Sequence, residues 1–134
     1  MDILNLVLSG ILMGVILMTQ FISYPLLKSI PKDSFTDYHA TYTGYIAPLV
    51  GPLMVFELIV ISILTFQDPT NTIHIASAAL VIMIWLSTFL IQVPLHNKLS
   101  KSYHAERINS LIHSNWIRTL SWTVKFALAL ILVM

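Results

Sequence analysis

The 134-residue chain contains no cysteine. That excludes disulfides, thiolate metal sites and covalent attachment of a c-type haem, and it leaves nothing in the chain to report on a redox compartment. Charge is also scarce, with Asp, Glu, Lys and Arg at 10% against 57% hydrophobic residues and a formal net charge of +1. Soluble domains carry about a quarter charged residues, so the composition fits an integral membrane unit. So small a net charge argues against nucleic acid as a partner. At this length there is room for one domain, residues 1–134, and no internal repeat or low-complexity stretch stands out. A cleaved leader is not expected, because Met1-Asp2 is not a basic start and Tyr24-Pro25 is not a small-residue cleavage site.

Long apolar runs are plentiful. Four stretches, roughly 3–27, 41–66, 72–95 and 115–134, are long enough to cross a bilayer as helices. The fold class is therefore all-α, a four-transmembrane-helix bundle. Six of the seven Lys and Arg residues fall in or beside the first and third gaps: Lys28 and Lys32 in one, Lys98, Lys101 and Arg107 in the other, with Arg118 at its edge. The positive-inside rule then puts both gaps in the cytoplasm and both termini outside, in the cytoplasmic (inner) membrane. Ser34-Phe35-Thr36-Asp37 has the form of a capping box, so the second helix starts before the membrane. No proline or glycine separates Tyr103 from the last span, which makes that helix long as well. Helices 2 and 4 thus gain cytoplasmic extensions. Tyr24-Pro25 is expected to break the first helix, and Pro94 to end or bend the third. Pro48 and Pro52 interrupt the second, where a kink favours a cavity. Gly10-x-x-x-Gly14 can permit close helix approach but is common in apolar segments.

Counting inward from the outer ends places Glu57 and Lys125 at one depth, about 13 Å in. Opposite charges at one depth in hydrocarbon should find each other or line a wet cavity. They form a candidate internal ion pair. At 100° per residue, His104, Leu111, Asn115, Arg118, Trp122 and Lys125 share one face of the last helix. Trp85, Thr88, Gln92 and His96 form a comparable stripe on the third, Met13, Gln20 and Tyr24 on the first, and His39 and Glu57 on the second beside Tyr38, Tyr42 and Tyr45. All four helices turn polar toward the same half of the bundle, which favours an internal pocket.

Three readings of that pocket stand side by side. His39, His96, His113 and Glu57 carry the atoms of a transition-metal or haem site, although no His-x-x-x-His or Glu-x-x-His spacing is present. His74 and His104, at membrane edges, read as hydrated surface residues. An organic-ligand pocket is the second reading, with Gln20, Tyr24, Tyr42, Gln92, Asn97, Asn115 and Trp122 as binding residues for a small aromatic or quinone-like molecule. In it, Arg118 stabilises an enolate or phenolate while His96 or His113 removes the proton. The third is a transporter or membrane scaffold subunit without chemistry, its aromatics serving as interface anchors. The partners these readings call for are the lipid bilayer and a small apolar or aromatic ligand, with homo-oligomer formation left open.

Val93-Pro94-Leu95-His96-Asn97-Lys98-Leu99 and Asn115-Trp116-Ile117-Arg118-Thr119-Leu120-Ser121-Trp122 resemble the anthrone-oxygenase-like family of small four-helix membrane proteins. That family shows a Val-Pro-Leu-Asn-like end to its third helix and a Trp/Asn…Arg-Thr start to its fourth. Tyr24-Pro25-Leu26 and Phe35-Thr36-Asp37-Tyr38-His39 look like a bacterial subgroup with no assigned activity. The resemblance implies a four-helix fold and an oxidoreductase that oxidises a polycyclic phenol or anthrone with oxygen, with Asn97, Asn115 and Arg118 as its polar motif.

Overall fold

A computed structural model describes residues 1–134 as helices and turns, with no strand. Four helices are long and apolar enough to cross a membrane: α1 (Asp2–Ser29), α2 (Lys32–Gln67), α3 (Thr72–Leu99) and α4 (Ala105–Val133). This is the build of a multi-pass membrane protein. Phe21, Phe66, Leu90 and Ile131 are among many large apolar side chains left exposed on the outside of the bundle, as expected of surfaces solvated by hydrocarbon.

Neither Pro25 nor Pro94 ends its helix. In α1 the turn before the proline widens into a π-helix, Thr19–Ser23, and the chain continues helical to Ser29. In α3 the same happens at Thr88–Gln92, and the helix runs on to Leu99. The Tyr24 N–H bonds the Thr19 carbonyl and the Val93 N–H bonds the Thr88 carbonyl, so each residue preceding a proline donates five positions back. Both threonine hydroxyls in turn donate to the carbonyl four residues earlier, Val15 at 2.9 Å and Ile84 at 2.7 Å. A local π adjustment absorbs what the proline cannot donate. These paired turns also correct the expectation that nothing repeats. Each half of the chain is an apolar helix, a π turn, a proline and then a long return helix. The likeness lies in backbone order more than in side chains.

Pairs of helices are held by small details. Asn71 caps α3, its side chain accepting from the N–H groups of Ile73 at 3.0 Å and His74 at 3.3 Å. The Ser34-Asp37 capping box does not form. The Ser34 hydroxyl instead bonds the Pro31 carbonyl at 3.3 Å. Of Gly10 and Gly14, only Gly10 meets a neighbour, the Phe126 ring of α4, which an added Cβ would approach to 3.2 Å. Gly14 faces open space.

α4 is the central element and packs along both α1 and α3. At the end that carries the two cation-rich gaps, Tyr24, Leu27, Phe35, Leu99, Ile108 and Leu111 form one cluster. At the opposite end Leu8, Val60, Ile61, Leu64 and Val81 form another. Lipid tails are as apolar as leucine, so these clusters stabilise by close packing more than by leaving water. α2 joins the bundle only near its ends. Its buried residues are Phe35 and His39, then Met54, Glu57, Val60, Ile61 and Leu64, with none between His39 and Met54. That stretch contains Pro48 and Pro52, which lack the N–H groups that would bond the carbonyls of Gly44 and Pro48.

Candidate ligand-binding site

Because α2 stands away from the bundle at its middle, a cavity of about 300 Å³ lies between it and the other three helices. Thirteen of the nineteen lining residues are hydrophobic, so its few polar groups decide what it can hold. Tyr24, Tyr42, Gln92, His96, Arg118 and the indole of Trp85 supply them, with Thr19 and Thr88, whose hydroxyls already bond carbonyls of their own helices.

Arg118 is 8% exposed. The protein's ion pairs are Asp2–His74 and Glu57–Lys125, so its guanidinium has no carboxylate. Tyr24, Tyr42 and His96 are the titratable groups beside it, and the Trp122 ring lies 5.3 Å from its guanidinium carbon, a cation–π contact. The Nε of Arg118 and the Nε1 of Trp85 are both buried without a hydrogen-bond acceptor. Two unanswered donors on the wall of an apolar cavity select for a molecule carrying acceptor oxygens.

Tyr24 leads away from the cavity through a chain of side chains. Its hydroxyl lies 3.1 Å from His96 Nε2, and His96 Nδ1 lies 2.9 Å from His39 Nε2. Three helices meet in these two contacts. A neutral imidazole donates from one nitrogen and accepts at the other, so the protons of the chain all point one way. If His39 donates to His96 and His96 to Tyr24, the Tyr24 O–H is free to donate into the cavity beside Arg118. The reverse polarity would bury an N–H at His39 Nδ1, which has no partner. Phe35 stacks on His39 with ring centroids 5.7 Å apart and closes the far end.

The Glu57–Lys125 pair does form, at 3.0 Å and fully buried. Lys125 Nζ also donates to Asn5 Oδ1 at 2.8 Å and Ser9 Oγ at 2.6 Å. The second Glu57 oxygen accepts from Trp122 Nε1 at 3.0 Å. One cluster thus ties α1, α2 and α4 together. The expectation missed Asn5 and Ser9, although two polar residues four apart in an otherwise apolar helix signal one face.

Other residues are placed differently from expectation. Gln20 and Asn115 do not line the cavity; Asn115 Nδ2 donates to Gln20 Oε1 at 2.9 Å, Thr119 donates to the same oxygen at 3.2 Å, and Gln20 Nε2 donates to the Ile112 carbonyl at 3.1 Å. They bond one another between α1 and α4. Asn97 is exposed and outside the cavity. Gln92 lines the cavity while bonding Ser87 at 2.9 Å and Ser114 at 3.3 Å. His104 is exposed, but His74 is buried and sits 3.2 Å from Asp2. His74 is therefore not a hydrated surface residue.

The four residues proposed as metal or haem ligands do not converge. His113 is exposed on α4, Glu57 is engaged with Lys125 and Trp122, and His39 and His96 turn ring nitrogens toward each other. No group of three or more His, Asp or Glu side chains is placed to hold a metal ion. His113 misses the site because it falls on the opposite side of α4 from Leu111, Asn115 and Arg118.

Comparison with protein-family models, curated proteins and solved structures gives no match. What the site can do has to be read from its own geometry.

Proposed function

We propose that the protein binds a small aromatic or quinone-like molecule in the α1–α4 cavity, with an oxygen of that molecule held by Arg118. The observation that carries this is the buried guanidinium without a carboxylate partner on the wall of an apolar cavity. An unpaired cation in such a place is costly. A phenolate, enolate or polarised carbonyl on the ligand removes that cost. Trp85, Tyr42 and Trp122 offer ring faces and edges to a flat apolar body. Tyr24 is placed to donate its O–H to the ligand oxygen, with His96 and His39 donating behind it in the same direction. Oxidation of a polycyclic phenol, the activity implied by the family resemblance, would use the same deprotonated form.

In this reading the positive-inside rule orients the bundle. The cation-rich end faces the cytoplasm, both termini lie outside, and the cavity occupies the inner half of the cytoplasmic membrane. α2, at 36 residues, is about 54 Å long at 1.5 Å per residue, against about 30 Å of hydrocarbon. Its first turns extend on the cytoplasmic side.

The test is titration of detergent-solubilised protein with 1,8-dihydroxyanthraquinone, read by quenching of tryptophan fluorescence. Binding to the wild type and at least about tenfold weaker binding to Arg118→Gln are expected, the loss of one charge-assisted contact. Equal affinities would remove Arg118 from the site and sink the proposal.

A further inference from the structure

α2 and α3 are joined toward both ends, at the one away from the cation-rich gaps also through the Val60, Ile61, Leu64 and Val81 cluster, and part between them. At the cation-rich end His39 meets His96 at 2.9 Å; at the opposite end the Thr65 hydroxyl bonds the His74 carbonyl at 3.4 Å. Between these clasps lies the cavity. Its exposed lining residues come from these two helices alone: Ala47 from α2, and Phe89 and Val93 from α3. The α1 and α4 walls contribute Leu12, Ile16, Arg118 and Trp122, all buried. The cavity therefore opens sideways, toward lipid.

We propose that this gap is a lateral window through which the ligand passes directly from the bilayer, so that the ligand is a lipid-soluble molecule with a weakly acidic or carbonyl oxygen. The proposal rests on the reading of the cavity as the binding site. Ala47, Phe89 and Val93 offer a hydrated or ionic molecule no polar partner, so it would shed its water uncompensated at the rim. An aromatic molecule already dissolved among acyl chains leaves an equivalent environment and meets its polar partners only inside the cavity, Arg118 among them. The rim also has room. A Cβ added at Gly51, which lines the cavity, meets no atom within 4 Å.

The absence of cysteine permits a reversible test. Ala47→Cys is reconstituted in lipid nanodiscs and modified with benzyl methanethiosulfonate, which places a ring in the window and is removed by reductant. Gly14→Cys, on the lipid face of α1 where nothing lies within 4 Å, serves as the control. Binding and release of 1,8-dihydroxyanthraquinone are followed by stopped-flow fluorescence. The window predicts that modified Ala47→Cys slows both rates by about tenfold or more with a much smaller change in Kd. Reductant should restore them, and modified Gly14→Cys should match the wild type. Unchanged rates in modified Ala47→Cys would overturn the window while leaving the site intact. No binding by the wild type would overturn the site and the window together.

Discussion

Lys125 and Arg118 lie on the buried face of one helix about two turns apart, and their surroundings are opposite. Lys125 hydrogen-bonds two partners and forms an ion pair with a carboxylate. Arg118 has aromatic neighbours, an empty-handed Nε and a cavity. Trp122 stands between the two regions, giving its N–H to Glu57 and its ring to Arg118. The contrast teaches how to read a buried charge in a membrane bundle. A charge answered by its own chain is holding the helices together, whereas an unanswered one is where the proposed ligand would bind.

The largest expected effect breaks the answered half. Lys125→Met leaves Glu57 buried without its cation and should cost about 3–5 kcal/mol, seen as a lower thermal unfolding midpoint in detergent. Adding Glu57→Leu to the same protein should recover most of that loss. A Lys125→Met protein as stable as the wild type would mean that the pair does not hold the fold.

Arg118→Leu makes the reverse comparison. It removes a charge with no carboxylate partner in the chain, so the ligand-free midpoint should stay the same or rise by about 3 °C, while affinity for the anthraquinone falls. A large drop in stability without ligand would place Arg118 with Lys125 as a structural cation.

Asn115→Ala tests a residue that sequence reasoning put in the site and the fold puts in the α1–α4 contact. It should cost about 1–2 kcal/mol of stability with the anthraquinone affinity unchanged. A selective loss of affinity would return Asn115 to the binding residues.

The smallest effect lies outside the membrane, in the turn between α2 and α3. The Thr70 hydroxyl, with its backbone N–H, donates to Asp68 and holds that carboxyl below its usual range. A depressed folded pKa means that the contribution is complete above the ordinary carboxylate pKa and is lost as pH falls through the lowered value. The Thr70 amide resonance should therefore shift only at pH values below that of a free aspartate. A transition at the free value would show the bond to be absent in solution.

Much of the bundle was legible because apolar length and cation spacing are one-dimensional signals. Four spans, the long return helices and the Glu57–Lys125 pair follow from counting residues along the chain. Helical faces were legible where the helix is regular, so Leu111, Asn115, Arg118, Trp122 and Lys125 all lie on the buried side of α4. Two things were not. Tyr24-Pro25 and Val93-Pro94 look like stops to any local rule, and only the π turn preceding each lets the helix continue. Sharing a face also does not decide between a neighbour and a cavity. Gln20 and Asn115 found each other, Gln92 found Ser87 and Ser114, and Arg118 found no carboxylate. That outcome depends on how far α2 stands off, and pairwise spacing carries no such information.

The stretch of α2 between His39 and Met54 behaves mechanically like a bow held at both tips. The tips are fixed by Phe35 and His39 at one end and by Val60, Ile61 and Leu64 at the other, and the two prolines in the limb have already released two rungs of its ladder. Flexing such a limb disturbs no fully buried side chain, only the half-buried Tyr42, Val50 and Leu53. The width of the space beside α3 can then change through one helix alone, without any rearrangement of the α1–α4–α3 wall behind it.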